Sequence, residues 1–169
     1  MKQPNIDRLV FLLDTVRKEG EHLLQTAHRL SQESIDAEWA RRLEDDVELS
    51  ERVDAFGARF GRMQDTIGDK LIPELLRCLL ETPGAALDNL NRMEKLNLLD
   101  SVADWLEARG IRNRLVHEYV RDPAEFAAAL VRSRELVRLL IGTYNALTAY
   151  ARERFACGKE NWPPEIVQR

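Results

Sequence analysis

The chain has 169 residues, 44% of them hydrophobic and 32% charged, with a formal net charge of −4 and a sequence pI near 5.5. This length suits one compact domain able to bury about two-thirds of its unfolded surface. The acidic balance excludes a global positive field for nucleic acid, so any such binding must come from a local patch.

Apolar residues recur at helical spacing along nearly the whole chain and no segment alternates with period two, so the predicted class is all-α. Asn5 is the expected N-cap of the first helix, with Ile6, Leu9, Val10, Leu13, Val16, Leu23, Ala27 and Leu30 as its buried stripe and an end near Ser31. The run Leu9 to Leu13 is bracketed by Asp7, Arg8 and Asp14 and is too short for a signal segment or a membrane span. A second long helix should begin around Asp36, with Trp39, Leu43, Val47, Val53, Phe56, Phe60, Met63 and Ile67 facing inward, and Gly68 and Pro73 should end or kink it.

A shorter apolar piece, Glu74 to Leu80, runs into Thr82-Pro83-Gly84, the clearest turn signal. Leu87, Leu90, Met93, Leu96 and Leu99 continue the pattern. Asp100 or Ser101 can cap a segment carrying Val102, Trp105 and Leu106, where Gly110 would break the helix or let another chain approach closely. Asp122-Pro123-Ala124-Glu125 is the strongest helix start, combining an Asp N-cap with Pro at the first helical position. The stripe from Phe126 through Leu130, Val137, Leu140, Ile141, Tyr144, Leu147 and Ala151 to Phe155 marks a last long helix. The architecture expected is an antiparallel bundle of four to five helices over residues 1–156, followed by a frayed C-terminal tail, 157–169.

Cys78 and Cys157 stand far apart with no Cys-x-x-Cys or Cys/His spacing, so neither a disulfide framework nor a zinc site is indicated and a reducing, cytoplasmic location fits. Glu19-x-x-His22 looks like half of a di-iron ligand set, but at the corresponding position before His117 stands Arg114, so no metal and no cofactor is expected. Trp39, Trp105 and Trp162 are expected to pack rather than to stack on bases.

Charge is unevenly spread. Glu33 to Asp54 holds nine acidic residues against three arginines, whereas Arg109 to Arg138 holds seven arginines against four acids. Both can be solvated helix faces; alternatively the basic stretch takes a polyanion and the acidic one a basic partner.

Within the basic stretch lies Arg112-Asn113-Arg114-Leu115-Val116-His117-Glu118-Tyr119, the one short segment that concentrates acid-base and phosphate-binding groups. Arg112 offers a planar, permanently charged fork for phosphate oxygens, and a histidine such as His117 has an unperturbed pKa of about 6.5. Metal-free RNA cleavage needs a base for the 2′-OH, a cation for the transition state and an acid for the leaving 5′-oxygen. One motif supplies at most one of each kind, and His117 cannot be base and acid at once, so this chemistry requires two motifs in a two-fold dimer. On a straight helix Arg112 and His117 lie about 140° apart. The helix is therefore distorted near Gly110, or the Arg112 side chain wraps around, or a partner protomer completes the site.

The pattern Arg-x4-His-x-Tyr, with Asn113 after the arginine, resembles the signature of the HEPN domain family, specifically the toxin half of HEPN and minimal-nucleotidyltransferase toxin-antitoxin pairs. The helical layout extends the resemblance over most of residues 1 to 156, departing in the acidic N-terminal half, and Phe56 to Leu76 is similar to relatives paired with nucleotidyltransferases. The resemblance implies a HEPN-like bundle acting as a homodimeric, metal-independent ribonuclease toxin of a type VII-like pair. Arg112 and His117 would be catalytic, with Asn113 and Arg114 supporting. It implies an RNA substrate, cut to a cyclic phosphate and a 5′-hydroxyl, and a nucleotidyltransferase antitoxin that transfers AMP to Tyr119. The added anion would block the RNA phosphate by bulk and like charge. The alternative is a non-enzymatic HEPN-like partner of the nucleotidyltransferase, presenting Tyr119 or an acidic face. Without function, Arg112, Arg114 and Glu118 would form surface ion pairs, with His117 half buried and Tyr119 packed at the rim.

Overall fold

A computed structural model of the chain describes residues 4–117, 121–156 and 161–168, with the side chains of Val116 and His117 outside the description. The described residues form an all-α bundle without strands: α1 (Ile6–Leu30), α2 (Ala37–Arg41), α3 (Val47–Asp65), α4 (Ile72–Cys78), α5 (Ala86–Lys95), α6 (Val102–His117) and α7 (Pro123–Arg154). The second long helix expected from Asp36 is subdivided into α2 and α3. None of the described helices is long and apolar enough to cross a membrane.

Helix α1 starts where Asn5 Oδ1 accepts the Arg8 N–H at 3.0 Å. Its buried face follows from the spacing of Leu9, Leu12, Leu13, Val16, Leu23 and Leu30, which packs against α3 and α7. At its far end Arg134 of α7 donates to the Leu30 carbonyl, satisfying a C=O that the helix cannot.

The expected single helix from Asp36 starts twice. Asp36 accepts from Trp39 N at 2.8 Å and caps α2, a 3₁₀ turn (Arg42–Glu44) follows, and Asp46 accepts from Leu49 N at 3.0 Å to cap α3. A short aspartate side chain competes for backbone N–H groups and so opens helices rather than continuing them. Val47, read as core, becomes the first residue of α3 and is 68% exposed.

Pro73 does not stop the chain. Residues Thr66–Leu71 form a π turn between α3 and α4, with Ile72 N donating to Ile67 O five residues back. Proline has no N–H to give and its ring crowds the preceding turn, so a widened turn carries the helix past it. Gly68 lies in this turn, where an added Cβ would meet the Trp105 ring at 3.6 Å.

Helices α4 and α5 end on left-handed residues, Leu80 (φ 62°) and Asn97 (φ 57°). After each, an N–H reaches back five residues, Glu81 to Leu76 O and Leu98 to Met93 O, which closes the helix in the Schellman manner. The turn at Thr82-Pro83-Gly84 is held by Asn89, whose amide both accepts from Gly84 N and donates to Gly84 O.

Ser101 caps α6 by accepting from Asp104 N at 3.0 Å, and Asp122 caps α7 by accepting from Ala124 N and Glu125 N. Gly110 does not break α6: the helix runs through it, and among the described residues nothing from outside its own helix backbone and chain neighbours lies within 4 Å of an added Cβ.

The final segment is docked rather than frayed over residues 161–168. Tyr144 Oη donates to Pro164 O, Arg152 donates to Pro163 O, and the Asn145 amide pairs with both the N–H and the C=O of Ile166. Ile166 is 5% exposed, and its Cδ1 fills the space left at Gly20 of α1, where a Cβ would meet it at 2.6 Å.

Candidate functional site on helix α6

The buried edge of α6 is Trp105, Ala108, Ile111 and Leu115, spaced by three, three and four residues. Packing this edge inward sets the direction of the motif residues. Asn113 and Arg114 point outward and are exposed, while Arg112 stands at the boundary facing α3.

Two glycines one turn apart on α3, Gly57 and Gly61, allow α6 to approach. A Cβ on Gly57 would make ordinary contact with Leu115 Cβ at 3.8 Å, whereas one on Gly61 would lie 2.5 Å from Arg112 Nε and 2.9 Å from its Cδ. The guanidinium continues past this point to Asp65, the last residue of α3, with Nη1 donating to Oδ1 at 2.8 Å. Of the three ways to reconcile the helix register with one reacting phosphate, distortion at Gly110 is therefore absent. The Arg112 side chain leans toward α3, away from the helix axis.

Two further polar ties run beside this one. Gln64 Nε2 donates to the Trp105 carbonyl at 2.9 Å inside the core, and Arg109 approaches Asp69 of the π turn at 3.8 Å. The polar residues Arg59, Gln64 and Asp65 of α3 turn toward different neighbours. Gln64 and Asp65 reach α6, but Arg59 turns the other way, donating to His22 O and Thr26 Oγ1 of α1. Gly61 and Asp69 escaped the sequence reading; the Gly57-x3-Gly61 spacing on one helix face was the available signal.

Glu19 of α1 reaches the same region. Its Oε1 lies 3.0 Å from Thr66 Oγ1 at the start of the π turn, and its Oε2 is buried without a hydrogen-bond partner. Burial pushes its carboxyl above the usual range, against the lowering effects of Thr66, Arg62 and Lys70, with Asp65 adding to the rise.

The other cations divide into tied and open. Arg132 of α7 binds Glu107 through two nitrogens at 2.9 and 2.8 Å and also meets Glu135, and its hydrogen bond holds the Glu107 carboxyl below the ordinary range. Arg114 and Arg121 have no carboxylate within ion-pair distance among the described residues. Both line a pocket of about 160 Å³, together with Asp122, Glu125, Phe126 and Ala129. A wider cleft of about 670 Å³ between α6 and α7 continues from Arg114 past Gly110 to Arg132.

His117 closes α6 as a backbone position, its side chain lying outside the described residues, as does the whole of Tyr119. His22 and His28 are exposed, Trp39 and Trp105 are in the core, and Trp162 is partly buried against it. No family model, no curated protein and no solved structure matches this chain.

Proposed function

We propose that this chain is a metal-independent endoribonuclease of the HEPN toxin type, working as a cytosolic homodimer. Its support is the Arg-x4-His-x-Tyr sequence, whose Arg112 to His117 stretch closes α6 of an all-α bundle, with the Arg112 guanidinium partly exposed and positioned by Gly61 and Asp65. An imidazole of one protomer takes the 2′-OH proton, and the resulting oxygen attacks the adjacent phosphorus. Arg112 neutralises the charge that grows on the phosphoryl oxygens, and the second protomer's imidazole protonates the departing 5′-oxygen. The products are a 2′,3′-cyclic phosphate and a 5′-hydroxyl. Asn113 and Arg114 support the motif. Transfer of AMP to Tyr119 by a partner nucleotidyltransferase would silence the enzyme by adding an anion beside the phosphate position.

Expression of the wild-type chain alone should arrest growth and degrade RNA, and R112A and H117A should do neither. A second reading, a non-enzymatic HEPN-like partner of a nucleotidyltransferase, is favoured by one observation: Asp65 already neutralises Arg112 at 2.8 Å. Harmless expression of the wild type, with RNA left intact by the purified protein, would select that reading.

A further inference from the structure

Most arginines around the motif are engaged: Arg109 with Asp69, Arg112 with Asp65, and Arg132 with Glu107, Glu135 and Asp104. Arg114 and Arg121 differ in lining one small pocket where α6 and α7 meet, without a carboxylate in ion-pair range among the described residues. Two like charges on one pocket repel each other unless an anion lies between them, and a guanidinium fork matches phosphate oxygens in pairs.

The pocket's two carboxylates act differently. Asp122 turns inward, its Oδ1 accepting the N–H groups of Ala124 and Glu125, so its charge is applied to the start of α7. Glu125 lines the pocket with no such engagement of its side chain and opposes an anion there.

We infer that Arg114 and Arg121 form a phosphate-binding subsite for an RNA strand, holding a phosphodiester further along the strand from the one cleaved. The helix register supports this placement: positions 114 and 117 differ by three residues and lie about 60° apart on α6, while Arg112 is turned about 160° from Arg114. The subsite thus lies on the side of position 117, and the strand passes around the end of α6 from it toward Arg112. The inference rests on the ribonuclease reading for its ligand and on the open arginine pair for its location.

The test is fluorescence anisotropy of the full chain with a labelled 2′-O-methyl RNA oligonucleotide, which lacks the attacking hydroxyl and reports binding without cleavage. R114A and R121A should each weaken binding on the order of fivefold and lower the slope of log K against log salt by about 0.7, one single-strand phosphate contact each. E125Q should tighten binding. Inorganic phosphate and AMP, added as competitors, separate a diester site from one for free phosphate groups. If R112A weakens binding while R114A, R121A and E125Q leave affinity and slope unchanged, the subsite is refuted and the nuclease reading stands. If the wild type ignores the oligonucleotide but binds AMP or phosphate through Arg114 and Arg121, the pocket remains an anion site and the nuclease reading fails. Absence of all binding overturns both.

Discussion

Arg112 lies across Gly61, so closely that a single methyl group on the glycine would come 2.5 Å from the Arg112 Nε. The glycine holds no turn and no positive φ; it sits within α3, where its missing side chain is the floor under a guanidinium aimed at Asp65. Catalysis by positioned charge depends on such placements to within about an ångström.

Gly61→Ala should therefore separate activity from stability. The clash falls on a flexible side chain that can swing away, and alanine favours the helix, so the melting temperature should move by no more than about 4 °C. RNA cleavage should fall by about tenfold or more as Arg112 leaves Asp65. Thermal melts and cleavage rates on the same preparations check this; a large loss of stability with full specific activity would refute the positioning role.

Asp65→Asn removes the countercharge while keeping a hydrogen-bond acceptor. Both partners are more than a third exposed, so the stability cost should be no more than about 1 kcal/mol. With Arg112 released, RNA should bind more tightly and turn over more slowly. Steady-state kinetics should show KM and kcat falling together, and an unchanged kcat would argue that Asp65 only screens the charge.

Ile166→Ala should destabilise the whole bundle, by about 2–5 kcal/mol, since the side chain fills a slot between Gly20, Met63 and Ile141. Urea unfolding measures the loss, and Trp162, partly buried four residues earlier, provides a fluorescence signal for the tail. A cost near zero would mean that residues 161–168 contribute little to the folded state in solution.

Glu19 supplies the pH dependence. Its carboxyl is raised in the folded chain mainly by burial, so the native state holds this proton more tightly than the unfolded state. That contribution to stability is complete below the ordinary glutamate pKa and declines as pH rises from there through the raised value. Glu19→Gln, which cannot ionise, should match the wild type in mild acid and exceed it at neutral pH. Chemical denaturation across that range decides the sign.

The helical starts were legible in sequence because they are local. Asn5, Ser101 and Asp122 cap the helices that follow them, since a side-chain oxygen reaches an N–H two or three residues on wherever the rest of the chain lies. The same local chemistry at Asp46 was overlooked beneath the longer apolar stripe, and the predicted long helix broke there. Gly68 and Pro73 are expected from sequence to end or kink the helix; which of the two occurs depends on Trp105, far away in the chain, packing beside the π turn that carries the helix onward.

By itself, then, the sequence determined the all-α class, most of the buried stripe and the residues of the motif, because periodicity, capping and side-chain chemistry act over a few residues. Only the tertiary structure decided that Arg112 pairs with Asp65, that Gly61 makes room for it, and that Arg114 and Arg121 share a pocket. These relationships join groups as far apart in the chain as Gly61 and Arg112, and they exist only once hydrophobic burial has brought α3, α6 and α7 together.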